Sequence, residues 1–265
     1  MTIKHEYFAD RAGHREESTR LEKIQESRDR TTRRHLRSLG VSAGWRCLEV
    51  GPGAGSIARW MAGRVGPEGH VVAADINPRF LTSETAPNLE VRVHDITTDA
   101  FEEAAYDLVH ARLVLMHLPD PLAALKTMVA ALRPGGRLLV EEGDLLGVEA
   151  VTRDHPDAGT FVRVMETILR HTRTRKAFDL NLGRLLPGML RSLSLADVDN
   201  EATFRVLKGG EDTFRSPFEV FRDGVLASGE VTENEWDISH RCFDDPHFSW
   251  MGMPLVAAWG TKPPV

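Results

Sequence analysis

The 265-residue sequence predicts an α/β fold built on a parallel, doubly wound sheet. Three observations predict this class. Short apolar runs alternate with helical stretches from Trp45 to Val140, as in sheets assembled from strand-helix units. The runs are almost continuously apolar, which is typical of strands that have helices on both faces. A turn rich in glycine joins the first run to the first helix of the series.

The first predicted element is a helix over residues 15–39. This stretch contains no proline or glycine, and its sparse apolar residues lie at near-helical spacing among charged residues four apart. We interpret residues 1–40 as an N-terminal helical lid. Residues 41–265 are predicted to form one domain with an insertion, because no linker or internal repeat marks a further boundary.

Strands and helices then alternate along the chain. Strands are expected at residues 45–50, 70–75, 89–93, 106–115 and 136–142, with helices at 56–65 and 121–133. Pro134-Gly135-Gly136 is expected to end the second helix and to turn the chain into the next strand.

The alternation is lost after Asp144. Helical residues 155–192, with a break at Pro187, predict a helical cap insertion over residues 145–195. Two more strands are expected at 198–207 and 253–261, with a mostly helical segment at 215–240 between them.

Composition and charge exclude several classes of protein. With 42% hydrophobic and 27% charged residues, the chain is neither disordered nor fibrous. A formal net charge of −6 argues against a nucleic-acid partner. No run of about 18 apolar residues occurs, and the first residues are charged where a signal peptide is apolar, so we expect a cytoplasmic protein without a membrane partner. Cys47 and Cys242 are expected to be free thiols.

The turn Glu49-Val50-Gly51-Pro52-Gly53-Ala54-Gly55-Ser56 lies between a predicted strand and a predicted helix. Glycine at positions 51, 53 and 55 permits a tight turn and lets a ligand approach the backbone. The pattern is compatible with two kinds of ligand, a dinucleotide and a nucleoside without phosphates. Ser56 stands where the dinucleotide pattern has a third glycine, and the Glu49 carboxylate would repel a diphosphate, so the nucleoside is favoured. A purely structural turn is the remaining alternative.

Two carboxylates follow the next two strands. Asp75 ends the second strand, where an acidic side chain accepts hydrogen bonds from both hydroxyls of a ribose; a helix N-cap is the alternative. Asp95 follows the third strand, where it could take the amino group of adenine while Ile76 and Ile96 pack on the ring. A simple turn aspartate is the alternative for Asp95.

These motifs together resemble those of the class I S-adenosyl-L-methionine-dependent methyltransferases over about residues 40–145. The motifs that carry the resemblance, in order and spacing, are Glu49 to Gly55, Asp75, His94-Asp95-Ile96, residues 106–112 and residues 132–136. The run LVHARLVLMHLPDP is similar to that of small-molecule, natural-product methyltransferases.

The resemblance implies a fold, a cofactor and roles for several residues. The fold is a Rossmann-like, seven-stranded, mostly parallel sheet with a reversed last strand, and the cofactor is S-adenosyl-L-methionine. Glu49 and Gly51 would flank its methionine moiety and the backbone of Ala111 would take its ammonium. Asp75 would hold the ribose, and Asp95 with Ile96 the adenine.

Methyl transfer to a hydroxyl requires a group that removes a proton. His117, beyond the fourth strand, and Asp144, after the fifth, are the candidates; His110 is expected to be structural and partly buried within the strand. One carboxylate of Glu141, Glu142 and Asp144 is expected to face the substrate, with the others solvated. Arg112 could clamp a carboxylate of the substrate or of the cofactor, with a surface ion pair as the alternative. His155 in the cap is a second candidate for substrate binding. No metal is expected, because residues 110–117 offer no Asp or Asn ligand at the end of the fourth strand, where metal-dependent catechol-type methyltransferases have theirs.

The resulting prediction is methylation of a small, hydrophobic or aromatic acceptor enclosed by the lid and the cap. An oxygen acceptor is favoured over nitrogen or carbon. Three alternatives stay open: a non-methylating reaction such as a cyclisation on the same fold, a nicotinamide-dependent oxidoreductase, and a non-catalytic binding protein. Dimerisation through the N-terminal helix is a further hypothesis.

Overall fold

The computed structural model describes residues 14–81, 86–144, 149–175, 179, 181–210, 219 and 221–264. The helices are α1 (His14–Ser38), α2 (Ser56–Val65), α3 (Pro121–Ala131), α4 (Ala158–Arg175), α5 (Leu182–Ser192), α6 (Arg222–Ala227) and α7 (Glu233–Cys242). The strands are β1 (Arg46–Val50), β2 (His70–Asp75), β3 (Leu89–Val93), β4 (Tyr106–Arg112), β5 (Leu132–Gly143), β6 (Ala196–Thr203), β7 (Val206–Lys208), β8 (Ser249–Met251) and β9 (Leu255–Thr261). A short 3₁₀ helix, Leu115–His117, follows β4.

Seven strands form one sheet in the order β3-β2-β1-β4-β5-β9-β6. The pairs β1-β2, β2-β3, β1-β4 and β4-β5 are parallel. Strand β9 is reversed, because Gly135 and Gly136 near the start of β5 exchange backbone hydrogen bonds with Lys262, which follows the end of β9. The predicted seven-stranded, mostly parallel sheet with one reversed strand is therefore confirmed. The strand order reverses between β1 and β4, and such a switch point opens a crevice at the carboxyl ends of the strands.

The chain divides into two compact units. The sheet unit contains the chain up to Glu142 together with Leu186–Asn200 and the segment from Ala257 onward. The cap unit contains Gly143–Leu185 and Glu201–Val256. The cap unit thus includes residues 201–256 in addition to most of the predicted insertion, and the bounds 1–40 and 145–195 stay predictions. Residues 1–13 of the lid and residues 145–148, 176–178 and 180 of the cap lie outside the described residues.

The core of the sheet unit forms where α2 packs on the central strands. Ile57, Met61 and Val65 recur at helical spacing and are buried against strand residues such as Val71 and Leu108. Burial of each large apolar side chain contributes about 1.5–3 kcal/mol. This packing fixes the start of α2, which directly follows Gly55, at the end of the glycine turn.

Both cysteines are buried free thiols, as predicted. Burial raises the pKa of Cys47 and raises the pKa of Cys242 to about 12. Neither side chain is therefore a thiolate near neutral pH.

The core of the cap unit is aromatic. The ring of Phe161 lies 4.8 Å from that of Phe248 and 5.5 Å from that of Phe243, both in edge contacts, and Trp250 packs beside them. Trp250 belongs to β8, which pairs with β7 in a separate two-stranded sheet. Edge contacts between rings add to the free energy gained from burial of the apolar surface.

Three expectations about the elements are wrong. Pro187 does not break the helix, because it lies inside α5, where Leu186 and Leu190 on either side are fully buried and their packing outweighs the lost hydrogen bond. Helix α3 ends at Ala131, not Arg133, because the chain enters β5 at Leu132 and bulges at Pro134-Gly136. The predicted strand at 198–207 is two strands, β6 and β7, in different sheets.

Candidate cofactor and substrate site

The glycine turn joins β1 to α2 with all three glycines at positive φ. The φ angles are 66° at Gly51, 57° at Gly53 and 80° at Gly55, a region that other residues adopt at a cost. A Cβ at Gly51 would lie 2.3 Å from Val114 Cγ2, and one at Gly55 would lie 2.0 Å from Leu81 Cδ1, so neither position accommodates a side chain. A Cβ at Gly53 would lie 3.4 Å from Leu21 of α1, an ordinary contact. The Gly53 position is the open part of the turn.

Glu49 precedes this turn and is almost fully buried, with 4% of its surface exposed. Its Oε1 lies 3.6 Å from His110 Nδ1 on the neighbouring strand. Its Oε2 is buried and has no hydrogen-bond partner among the described residues. An unpartnered buried carboxylate oxygen costs about 1–3 kcal/mol, so its presence points to a ligand that donates to it.

Asp75 ends β2 beside the turn. Its Oδ1 accepts a hydrogen bond of 2.8 Å from the backbone N–H of Asn77, and the backbone N–H of Gly53 donates to the carboxylate as well. Burial raises the pKa of Asp75, and these two hydrogen bonds offset the rise only in part. The neighbouring Ile76 is 59% exposed, so an apolar surface lies next to the carboxylate.

Asp95 and Ile96 follow β3, next to the end of β2. The two strands meet here through the hydrogen bond of 2.9 Å from His94 N to Asp75 O. Asp95 Oδ1 accepts from the backbone N and Oγ1 of Thr97, at 2.9 Å and 2.6 Å, which makes a turn of the Asx type. Ile96 is buried. The structure thus brings the glycine turn, Asp75 and Asp95 to one edge of the sheet.

Ala111 and Arg112 end β4. Ala111 is buried and pairs with Val50 in β1, which places its backbone beside the start of the glycine turn. The Arg112 guanidinium donates to Thr32 Oγ1 at 2.9 Å and to Asp29 Oδ1 at 3.0 Å, both on α1. Arg112 forms an ion pair, but the pair is nearly buried and not at the surface as expected, because its partner lies on the N-terminal helix.

Helix α1 contacts the same edge through further polar groups. Asp29 Oδ1 also accepts from Ser56 Oγ at 2.9 Å, at the start of α2. Glu141 of β5 lies 3.0 Å from His35 Nδ1 and accepts from Thr32 Oγ1 at 2.5 Å. These contacts fix α1 against the carboxyl ends of β1, β4 and β5.

The expectation that two of the three acidic groups after the fifth strand are solvated is wrong. Glu141 and Glu142 are fully buried and Asp144 is 5% exposed. The physical reason is that β5 is an interior strand of the sheet, between β4 and β9. Burial alone would raise the pKa of Glu141, but hydrogen bonds with His110 and His35 outweigh it and hold the pKa below its ordinary value.

The pKa of Glu142 is shifted in the opposite direction to that of Glu141. Burial raises the pKa of its carboxyl group to about 8, although backbone N–H groups of residues 114–116 donate to it and oppose the rise. The sequence named Glu142 among the three carboxylates after the fifth strand but did not predict its burial. A pair of glutamates directly after three apolar strand residues was the available signal, because such a position is as interior as the residues before it.

The two proposed proton acceptors differ in their surroundings. His117 ends the 3₁₀ helix after β4 and is partly exposed. Asp144 is held in the cap unit by Arg184, whose Nε donates to Asp144 Oδ2 at 2.9 Å and whose Nη2 donates to Oδ1. A carboxylate that binds a guanidinium through both oxygens is a poor proton acceptor.

His155, the second candidate for substrate binding, lies in the cap unit. Its Nε2 is 3.1 Å from Asp245 Oδ2 and its Nδ1 accepts from the backbone N of Asp157 at 3.2 Å. Ligand atoms of His155, Asp157 and Cys242 lie within 4.8 Å of one another. Both ring nitrogens are already bonded and the Cys242 thiol stays protonated, so this group is poorly prepared for a metal ion.

A family model described as a methyltransferase domain matches residues 11–178, more than half of the chain. The chain belongs to this family. Its predicted membership of the class I S-adenosyl-L-methionine-dependent methyltransferases is confirmed, and S-adenosyl-L-methionine is the cofactor of that class.

Two curated relatives illustrate the range of the family. Methyltransferase str2 of Strobilurus tenacellus is 37% identical over 98 residues, which are 37% of this chain and 35% of the relative. The ubiquinone/menaquinone biosynthesis C-methyltransferase UbiE of Ectopseudomonas mendocina (strain ymp) is 36% identical over 111 residues, 39% of this chain and 43% of the relative. The chain thus spans less than half the length of these relatives.

The fold is shared with a solved methyltransferase. Phosphoethanolamine N-methyltransferase 2 of Haemonchus contortus, in complex with S-adenosyl-L-methionine, is 15% identical and has a TM-score of 0.60. The match covers 99% of this chain and 60% of that one. Within the described residues, no helix is long and apolar enough to cross a membrane.

The residues of the site fit the family's cofactor. The unpartnered oxygen of Glu49 suits the amino-acid end, which carries an ammonium group, and the glycine turn admits a ligand where a side chain would obstruct it. Asp75 stands one strand along, with a carboxylate for a sugar diol. The chemistry of the donors therefore agrees with the family.

Proposed function

We propose that this chain binds S-adenosyl-L-methionine at the carboxyl ends of β1, β2 and β3 and methylates a small-molecule acceptor. The observation that carries the proposal is the glycine turn flanked by the free oxygen of Glu49 and the carboxylate of Asp75. When bound, the cofactor supplies an electrophilic methyl group on a sulfonium. The task of the chain is to bind, to orient and to remove a proton.

Each part of the cofactor has a proposed set of residues. Glu49, Gly51 and the backbone of Ala111 hold the amino-acid end. Gly53 leaves room for the nucleoside, Gly55 permits the tight turn next to it, and Asp75 accepts from the ribose hydroxyls. Asp95 accepts from the amino group of the base, with Ile76 and Ile96 as its apolar contacts.

The proposed acceptor is a hydrophobic or aromatic molecule with a hydroxyl group. His117 is the stronger candidate for the proton acceptor, because Asp144 is paired with Arg184. Arg112 and His155 stay proposals as substrate-binding residues. Because the UbiE relatives are named as C-methyltransferases, transfer to carbon is the runner-up. Cytoplasmic localisation and a homodimer through α1 stay predictions.

The cofactor site is tested with two alanine variants of equal backbone cost. Gly53 and Gly44 both have positive φ, 57° and 79°, but only Gly53 belongs to the glycine turn, and a Cβ at Gly44 meets no atom within 4 Å. We expect Gly53→Ala to weaken binding of S-adenosyl-L-methionine at least about tenfold in calorimetry. Gly44→Ala should bind as the wild type does. No binding by the wild type, or equal binding by both variants, would contradict the proposal.

The reaction is tested by mass spectrometry with a panel of phenols and quinols. Formation of a methylated product together with S-adenosylhomocysteine supports methyl transfer, and the position of the methyl group distinguishes oxygen from carbon. A product of unchanged methyl content would instead indicate a non-methylating reaction on this fold.

A further inference from the structure

His110 lies between two acidic side chains on one face of the sheet. It pairs in register with Glu49 of β1 and with Leu139 of β5. Residues two apart on a strand share a face, so Glu141 lies on the same face as His110 and Glu49. The alternation of the three central strands alone therefore places an imidazole between two carboxylates.

The contacts agree with this register. His110 Nε2 lies 3.5 Å from Glu141 Oε2, and His110 Nδ1 lies 3.6 Å from Glu49 Oε1. His110 and Glu141 are fully buried. Among the described residues, His35 of α1 also contacts Glu141, and Arg112 at the end of β4 interacts with the same carboxylate. The protonated thiol of Cys47, two residues before Glu49 on β1, lies near the Glu49 carboxylate.

The two carboxylates favour the protonated form of His110. Burial lowers the pKa of His110, but its interactions with Glu141 and Glu49 raise it, and the net pKa is above the ordinary value. A buried imidazolium between two carboxylates compensates part of their charge, which a neutral ring would not do.

Glu49 uses only one of its two oxygens in this arrangement. Oε1 faces His110, whereas Oε2 is buried without a hydrogen-bond partner in the part of the chain that the structure describes. The glycine turn begins two residues later, at Gly51. His110 Nδ1 makes no hydrogen bond within the described residues, so its contact with Oε1 at 3.6 Å is electrostatic. This attraction holds Oε1 toward the imidazole and leaves Oε2 available to a ligand.

We propose that His110 is a positioning residue that holds Glu49 so that its Oε2 accepts from the ammonium group of the bound cofactor. The inference rests on the proposed function, because it requires that Glu49 binds the amino-acid end of S-adenosyl-L-methionine. His110 itself does not contact the ligand. Its contribution is limited to the amino-acid end and does not extend to the nucleoside.

The first test compares two ligands in calorimetry, S-adenosylhomocysteine and 5′-methylthioadenosine, which lacks the amino-acid end. We expect His110→Gln to weaken binding of S-adenosylhomocysteine about tenfold and to change binding of 5′-methylthioadenosine less than about twofold. Glu49→Gln should show the same pattern, and the double variant should lose no more than either single one. Equal losses for both ligands would indicate a merely structural role and would overturn the inference.

A matched control is His70→Gln. His70 Nε2 also contacts a glutamate, Glu90 Oε2 at 3.2 Å, but at the opposite end of β2 from the glycine turn. This variant should bind both ligands as the wild type does. If the wild type binds neither ligand, the proposed function fails; if it binds both and His110→Gln is unchanged, only the present inference fails.

The second test needs no ligand and does not depend on whether His110→Gln folds. The ring nitrogens of His110 are followed by NMR in the wild type between about pH 5.5 and 8.5, and again in Glu49→Gln. We expect a titration midpoint above the ordinary value of about 6.5 in the wild type and a clearly lower midpoint in Glu49→Gln. A midpoint at or below the ordinary value in the wild type, or an unchanged midpoint in the variant, would overturn the inference even if His110→Gln did not fold.

Discussion

Glu142 Oε1 accepts a hydrogen bond of 2.7 Å from the backbone N–H of Leu115, and the N–H of Val114 donates to the same oxygen at 3.0 Å. The end of β5 thereby holds the segment that follows β4. This segment carries Val114, which covers Gly51, and His117. It also contains Leu113 at a φ of 56°, a strained conformation for leucine. The buried carboxyl group of Glu142 therefore fixes both Val114, which covers Gly51, and His117, the proposed proton acceptor.

Replacement of this carboxyl group should change how stability depends on pH. The pKa of Glu142 is about 8 in the folded chain against an ordinary value of 4.5, so between about pH 5 and 8 the folded chain keeps a proton that the unfolded chain has released. The free energy of unfolding should consequently fall as the pH rises, by up to about 1.4 kcal/mol per pH unit from this group. Glu142→Gln removes this contribution and keeps an oxygen for the two N–H groups.

The measurement is urea unfolding of both proteins at about pH 5, 7 and 9. Glu142→Gln should gain stability relative to the wild type with each step in pH. The exposed Glu103→Gln serves as the control and should follow the wild type at every pH. A constant difference between Glu142→Gln and the wild type would contradict the prediction.

Two alanine-to-glycine changes should have opposite signs. Ala104 is exposed and has a φ of 52°, so glycine relieves a left-handed residue and should stabilise the chain by up to about 1 kcal/mol. Ala123 is exposed within α3, where glycine should cost about 1 kcal/mol. The melting temperatures of both variants, measured by thermal unfolding, test this prediction. Changes of the same sign in the two melting temperatures would contradict it.

Removal of the Arg112 charge should loosen α1. Arg112→Gln loses the pair with Asp29, both nearly buried, and weakens the hydrogen bond to Thr32, so we expect a loss of about 2 kcal/mol and faster proteolysis within α1. Arg92→Gln is the control, because Arg92 forms a half-exposed pair with Glu90 that contributes less than about 1 kcal/mol. Equal effects of the two variants would show that the buried pair has no special role.

Substitutions of the two candidate bases, His117 and Asp144, should have different effects on kcat. With a hydroxyl acceptor, His117→Ala should lower kcat by about 10²-fold or more. Asp144→Asn should change kcat less than about tenfold, because Arg184 already engages the carboxylate. Dependence of kcat on Asp144 alone would reverse the assignment.

The sequence was sufficient for the first three strands of the sheet and for the glycine turn. Strands β1, β2 and β3 lie within a residue of their predicted bounds because their apolar runs are short and end at glycine, aspartate or a polar loop. Gly51, Gly53 and Gly55 were predictable because positive φ has a residue preference that is visible locally.

The features that the sequence did not predict depend on contacts between residues distant in sequence. His35 and Glu141 are 106 residues apart, and no local pattern pairs them. The helix at Pro187 and the separate strands β7 and β8 follow from tertiary packing, which overrides local propensity. The partners of Arg112 and Asp144 were missed for the same reason, since a guanidinium or a carboxylate has many possible partners until the fold is known.

The chemical inertness of the two native thiols has a practical consequence. Since Cys47 and Cys242 are both inaccessible and protonated, a maleimide dye added to the intact protein would react only with a cysteine introduced at the surface. Glu26 is an exposed position on α1 suited to that substitution. Opening of the N-terminal helix could then be followed by fluorescence in a chain that keeps all of its own residues but one.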